Sequence, residues 1–211
     1  MRLIIAIAIS LTIGWSCKTN AQTNVQLEAL KRLKNLDIES NPALKRVVLS
    51  ILESAKGKPA FVEIIRDFKL EGFETELIRF AQSHPNKSEG VEAMRLALTV
   101  NGLGLIERAI VGNTGQTEAT AIVLANTLDP KAEPILLKIL KDSNKPFSTR
   151  KVSLDGLAKT KSGAMEIIKA AEEKQLDAEL NFFAGNSLRN ARWKSISDQA
   201  NQLFPAPQGL G

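Results

Sequence analysis

Phe61–Ser83 reads FVEIIRDFKLEGFETELIRFAQS, and Ala164–Asn186 reads AMEIIKAAEEKQLDAELNFFAGN. Set 103 residues apart, Glu63-Ile64-Ile65 matches Glu166-Ile167-Ile168, and Glu76-Leu77 matches Glu179-Leu180. Phe80-Ala81 matches Phe183-Ala184, and Arg66 stands opposite Lys169. In each stretch one apolar pair falls early and another closes the segment, which is the core face of a helical hairpin. The offset is about three units of 34 residues, within the range of helical-hairpin repeats.

Working outward, apolar residues recur at three- and four-residue intervals along most of the chain. Val25, Leu27, Leu30 and Leu33 show it, as do Val47, Val48, Ile51 and Leu52 behind the Asn41-Pro42 start. Met94 to Leu98, Ile122 to Leu124, Ile135 to Leu140 and Val152 to Leu157 continue the pattern, with a last helix expected over residues 193–204. Leu137 is expected in the core. Gly57, Gly72, Pro85-Asn86, Gly102, Gly112-Asn113, Asp129-Pro130, Asn144 to Pro146, Gly163 and Asn190 read as breaks between helices, because Gly and Asn accept the left-handed cap and Pro cannot continue a helix. No run alternates apolar and polar residues between turn signals, so no strand is expected. Short helices on short loops predict an all-α fold of antiparallel hairpins.

Composition agrees. The chain has 211 residues, 44% hydrophobic and 24% charged, so it is globular in character. Aromatics are 5% and Tyr is absent, which disfavours sandwiches and barrels. A single Cys and a single His exclude a zinc site of the usual kind, a disulfide framework and a Cys-x-x-Cys-His haem attachment.

Asp129-Pro-Lys-Ala-Glu-Pro-Ile-Leu-Leu-Lys-Ile-Leu-Lys-Asp142 resembles the HEAT family, whose first helices often follow an Asp-Pro turn and carry a Leu-Leu pair. The resemblance spans about residues 25–204 and departs from the family where its second-helix Arg and Asp are poorly kept. It implies an α-solenoid, a HEAT/armadillo-like superhelix of stacked hairpins, that acts as a protein-binding scaffold and not as an enzyme. A tetratricopeptide assignment is weaker, because its Trp, Gly and Tyr positions are missing.

The first residues, MRLIIAIAISLTIGW, place Arg2 before an apolar run from Leu3 to Ile13. This is the shape of a secretory signal, whose apolar region is about 7–15 residues, and it falls short of the ~20 needed to span a bilayer. Residues 1–21 are therefore expected to be a signal peptide and the protein to work in the periplasm or cell envelope. Two exits are open. Thr19-Asn20-Ala21 suits cleavage before Gln22. Cys17, just past the apolar run, resembles a bacterial lipoprotein lipidation site, although Gly14-Trp15-Ser16 departs from the usual box. A lipid there would be the sole membrane attachment.

Residues 22–204 form the expected repeat domain, and 205–211, Pro-Ala-Pro-Gln-Gly-Leu-Gly, a Pro/Gly linker or truncated tail. Leu203-Phe-Pro-Ala-Pro207 resembles the segment before the cytochrome c domain of large exported haem-binding, dehydrogenase-like proteins. That resemblance implies a second reading, a HEAT spacer from a larger exported oxidoreductase. The residues present hold no haem motif, and no cofactor is expected.

No reaction is legible. His84 lies in Gln82 to Asn86, a helix-ending loop, without a second His or a thiol in the mature body to form a catalytic pair. Asn101-Gly-Leu-Gly104 lacks the strand and third Gly of a phosphate loop and reads as a helix break. Glu63, Glu76, Glu166 and Glu179 recur at matching hairpin positions, as solvated edges do. Loss of the first 21 residues removes Arg2 and Lys18 and leaves three more basic than acidic side chains, too few for a nucleic-acid stripe. Lys138, Lys141, Lys145, Arg150 and Lys151, continued by Lys159 and Lys161, form the densest basic set. They are the first candidate surface for an envelope protein partner. Arg189, Arg192, Trp193 and Lys194 are the second, because Arg and Trp are enriched at binding hot spots.

Overall fold

The computed structural model describes residues 28–30, 32–33, 38, 40–112 and 115–204. The signal-peptide, Cys17 and tail expectations lie outside them. The described residues are helical and contain no strand. The chain divides into two compact units, Met1–Phe73 and Glu74–Gly211.

The first unit carries α1 (Pro42–Ala55) and α2 (Pro59–Phe68), which pack on each other. Asn41 begins α1, its Oδ1 accepting from the Leu44 N–H at 3.0 Å, and Pro42 stands where no N–H is needed. α1 buries Val48, Ile51, Leu52 and Ala55, and α2 buries Phe61, Val62, Ile64, Ile65 and Phe68. Phe61 meets Phe73 edge-on at 6.1 Å.

The second unit carries α3 (Glu74–Ser83), α4 (Ser88–Ala97), α5 (Val100–Ala109) and α6 (Gly115–Thr127). A 3-10 turn (Pro130–Ala132) leads into α7 (Glu133–Lys141), followed by α8 (Phe147–Leu157), α9 (Lys161–Glu172), α10 (Ala178–Arg189) and α11 (Lys194–Leu203). Sequence neighbours pack together, as α3 with α4, α7 with α8 and α10 with α11. Helices two apart also pack: α4 with α6, α6 with α8 and α8 with α10, then α3 with α5, α7 with α9 and α9 with α11. α3 touches α6 as well. The largest fully buried side chains here are Met94, Leu98, Ile106, Leu124, Ile139, Leu140, Leu154, Leu157 and Ile167.

The two stretches 103 residues apart fold alike locally. Each is a helix, a five-residue loop and a helix, α2 then α3 and α9 then α10. Each first helix runs into a lysine in the left-handed region, Lys69 at φ 52° and Lys174 at φ 55°. The next N–H then returns to the helix, from Leu70 to the Ile65 carbonyl at 3.0 Å and from Gln175 to the Ala170 carbonyl at 2.9 Å, which satisfies a terminal carbonyl. Ile64 and Ile167, Ile65 and Ile168, Leu77 and Leu180, and Ala81 and Ala184 are all buried.

Two local expectations are corrected. Leu137 is half-buried, and Leu136 and Leu140 hold the α7 core position. The last helix agrees with its expected range, with Trp193 and Phe204 as its caps. Asn101 to Gly104 is not a break but lies inside α5. The turn from α4 to α5 takes only Leu98 and Thr99, and Thr99 Oγ1 accepts from the Gly102 N–H at 3.1 Å. So tight a corner brings the Ala97 carbonyl against Gly102, where a Cβ would overlap it. The same cap recurs before α9, where Thr160 Oγ1 accepts from the Gly163 N–H at 3.0 Å. These glycines serve the first turn of the next helix, not the end of the last.

Candidate functional site

Several cations of the second unit donate to carbonyls at helix ends. The last carbonyls of a helix lack intrahelical donors and carry the negative end of the macrodipole, so a cation there satisfies both. Arg95 donates from Nε and Nη2 to the Thr127 carbonyl at 3.0 and 2.8 Å, closing α6. Lys131 Nζ donates to the Leu98 carbonyl after α4 at 3.0 Å. Lys145 Nζ donates to the Val111 and Gly112 carbonyls after α5 at 2.9 and 2.7 Å. Lys159 Nζ reaches the Ala125 carbonyl and Asn126 Oδ1 of α6 at 3.5 and 3.4 Å. The three lysines each reach back 33 or 34 residues.

This pattern separates the seven-residue basic set. Lys145 is 8% exposed and Arg150 is 6% exposed, so neither belongs to a docking surface, and both are corrected from the expected ridge. Arg150 donates from Nε to the Leu140 carbonyl at 2.9 Å and from Nη1 to Asp177 Oδ2 at 2.6 Å. Asp177 also begins α10, its Oδ1 accepting from the Leu180 N–H at 2.9 Å. That bond first, and the Arg150 guanidinium second, hold its carboxyl below the ordinary aspartate range against an opposing burial effect. Sequence alone does not separate a lysine that caps a helix from one that faces water. A basic residue two to four positions after Asp or Asn in a loop was the available hint, as in Asp129 to Lys131 and Asp142 to Lys145.

Lys138 remains exposed and Lys141 half-buried on α7. Lys138 and Lys145 line one small cleft of about 210 Å³ with Glu107, Ile110, Val111, Ile139 and Asp142. The cleft falls between α5 and α7, the one pair two apart in the second unit that does not pack closely among the described residues.

The face formed by α8 and α10 differs in character. Lys151 forms an ion pair with Asp155 at 2.7 Å, and its ammonium lies 4.9 Å from the centre of the Phe183 ring. Phe183 meets Phe147 at 5.8 Å and Phe182 edge-on at 5.6 Å. Phe182 is 57% exposed, a large aromatic side chain left in water. At the matching sequence position the counterpart of Phe183, Phe80, is buried and stacks on His84 at 4.4 Å. His84 is thus half-buried, its Nδ1 within 3.1 Å of the Phe80 carbonyl. Sequence reading passed over Phe147 and Phe182 and took Phe183 for part of the core face, where it is half-buried. The signal was present: Leu180, Ala184 and Leu188 make the core stripe of α10, which leaves the adjacent Phe182 facing away from it.

The second basic candidate gathers around α11. Arg189 donates from Nη2 to the Phe204 carbonyl at 3.1 Å. Arg192 is exposed and stacks its guanidinium over half-buried Trp193 at 4.6 Å. The repeated glutamates Glu63, Glu76 and Glu166 are half-buried and Glu179 is exposed. Among the described residues no three His, Cys, Asp or Glu side chains are grouped as metal ligands, and no helix is long and apolar enough to cross a membrane.

Compared with known proteins, the chain matches no family model, no curated protein and no solved structure.

Proposed function

We propose that the chain is a non-enzymatic scaffold, an exported α-solenoid of HEAT-like hairpins that binds a protein partner in the cell envelope. The observation that carries this reading is the aromatic face of Phe147, Phe182 and Phe183 beside the Lys151–Asp155 pair. An exposed phenylalanine backed by two more offers the aromatic anchor that protein interfaces favour. The solenoid is supported by the packing of helices two apart and by lysines that reach back a constant 33 or 34 residues. A stack of two-helix units places each loop beside the loop one unit earlier. Export is supported by residues 1–21 alone.

The site is tested by placing a photoreactive phenylalanine analogue at Phe182 or at Val111, which is 76% exposed just past the end of α5. In cells, position 182 is expected to give a discrete adduct that position 111 does not. Identical adducts from both positions would remove the face as a binding site. Export is tested by the N-terminal sequence of the mature protein, with a start at Met1 counting against it.

A further inference from the structure

We propose that Asn101 is a spontaneous deamidation site at the α4–α5 corner, and that the Thr99 cap controls how fast it reacts. Asn101-Gly102 is the only Asn-Gly pair in the chain. Asparagine before glycine is the pair most prone to this reaction, because a residue without a Cβ leaves its nitrogen open to attack and its backbone free to turn. The fold demands glycine here, since the Ala97 carbonyl occupies the place of a Cβ on Gly102. The reactive pair is therefore built into the corner. Asn101 itself is exposed, so water reaches it.

The reaction needs no co-reactant but water. The Gly102 N–H gives its proton to solvent, and its nitrogen forms a bond to Asn101 Cγ. The Cγ–Nδ2 bond breaks and ammonia leaves, closing a five-membered succinimide. Water then opens the ring. Addition at Cγ gives aspartate, and addition at the main-chain carbonyl carbon gives isoaspartate, with the chain running on through Cγ. No atom is oxidised or reduced.

The place in the helix decides the rate. Inside a helix each N–H is tied to a carbonyl four residues back, but the first four have no such partner. Asn101 and Gly102 stand in the first turn of α5, and Thr99 Oγ1 accepts from the Gly102 N–H at 3.1 Å. The fixed helical dihedrals also hold the side-chain carboxamide away from the next nitrogen, so the ring closes only when this turn opens. α5 packs on α3 and α6, while the cleft separates it from α7, so few neighbours keep the turn shut. Asp155-Gly156, the only Asp-Gly pair, can close the same ring with loss of water. It lies inside α8, where Gly156 is pressed against Ala125 and Asp155 pairs with Lys151 at 2.7 Å. The two products at 101 differ in effect. Aspartate in a first turn suits the helix dipole, whereas isoaspartate adds a carbon to the backbone and breaks the cap. The proposal does not rest on the scaffold reading.

The test incubates the full chain, folded and in urea. Peptides are mapped by mass spectrometry for the gain of one mass unit at 101, with fragmentation that separates isoaspartate from aspartate. Conversion of Asn101 is expected in the folded chain, more slowly than in urea. Thr99→Ala is expected to speed the folded reaction about five-fold, the typical weight of an N-cap. Thr99→Ser is expected to stay near the parent rate, and neither variant to change the rate in urea. No conversion in the folded chain overturns the proposal, as do equal folded rates in the parent and Thr99→Ala. Isoaspartate at 155 that forms as fast as at 101, each relative to its rate in urea, overturns the role of the first turn. A second measurement needs no substitution and holds even where Thr99→Ala unfolds. In the parent, the ratio of folded to urea rates is expected to match, within about ten-fold, the opening frequency read from Gly102 amide exchange. A larger disagreement means that opening of this turn is not the gate.

Discussion

Lys145 shows what a buried cation contributes here. Its ammonium is the donor for two carbonyls just past the end of α5, at 2.9 and 2.7 Å, with Asp142 at 4.0 Å. Lys145→Met keeps the stem and leaves those carbonyls without that donor, a loss of about 1–3 kcal/mol for buried polar groups. Lys138→Met, on the exposed side of the same cleft, is expected within about 0.5 kcal/mol of the parent. Urea unfolding of the two variants checks this, and equal midpoints would show that Lys145 is no cap. Asp177 makes the related case for an anion. Its carboxyl sits below the ordinary value of 3.8, first through the Leu180 N–H and then through Arg150. A folded value below the unfolded one means the unfolded chain binds the proton more readily. The stabilisation is therefore full above the unfolded pKa and disappears as pH falls through the folded one. Asp177→Asn retains a good N-cap but loses the charge facing Arg150. It is expected to be less stable than the parent at neutral pH, with the difference closing as pH falls through the folded pKa of Asp177. A constant difference across the titration would show that the charge plays no part. The candidate surface was only partly legible for the same reason. Lys145 and Arg150 look like Lys138 in sequence, and only the folded positions of their partners, the Val111 and Gly112 carbonyls for one and the Leu140 carbonyl and Asp177 for the other, tell them apart.

At the scale of the helix, periodicity located nearly every element, since a buried stripe needs apolar residues at three- and four-residue spacing whatever it packs against. Corners were less legible. Gly102 was read as a terminator, because glycine is common past helix ends, but it lies in the first turn of α5 against the Ala97 carbonyl. Nothing local in Thr99-Val-Asn-Gly102 says how sharply α4 and α5 meet. Gly104, two residues on, gives the contrast, with open space where its Cβ would be. Gly102→Ala must shift the corner and is expected to cost about 1–3 kcal/mol, as overpacking does. Gly104→Ala is expected to stabilise by about 0.5–1 kcal/mol, because alanine loses less backbone freedom in a helix. Thermal melting of the pair reads opposite signs directly. Two shifts of the same sign would mean that the corner is looser than the Thr99 cap and the Ala97 contact require.

For the whole molecule the question is whether helices 74–204 behave as a stack of near-neighbour units or as one cooperative globule. The contacts of α6 and α8 with helices two apart and the lysines reaching back 33 or 34 residues favour the stack. The contact of α3 with α6 adds a longer link. In a stack, stability is the sum of unit and interface contributions, so damage stays near its origin. In a globule any loss of core lowers every opening energy together. Leu154 on α8 is fully buried, and Leu154→Ala should cost about 2–5 kcal/mol through lost transfer energy and the cavity left behind. Amide exchange measured helix by helix then separates the two. A stack predicts that α6, α7, α8 and α9 lose protection while α3 and α4 keep theirs, because α8 packs on the first group and not closely on the second. Uniform loss from α3 to α11 would mean a single cooperative body. The HEAT-like reading would then describe only the local helix–loop–helix sequence pattern shared by residues 61–83 and 164–186.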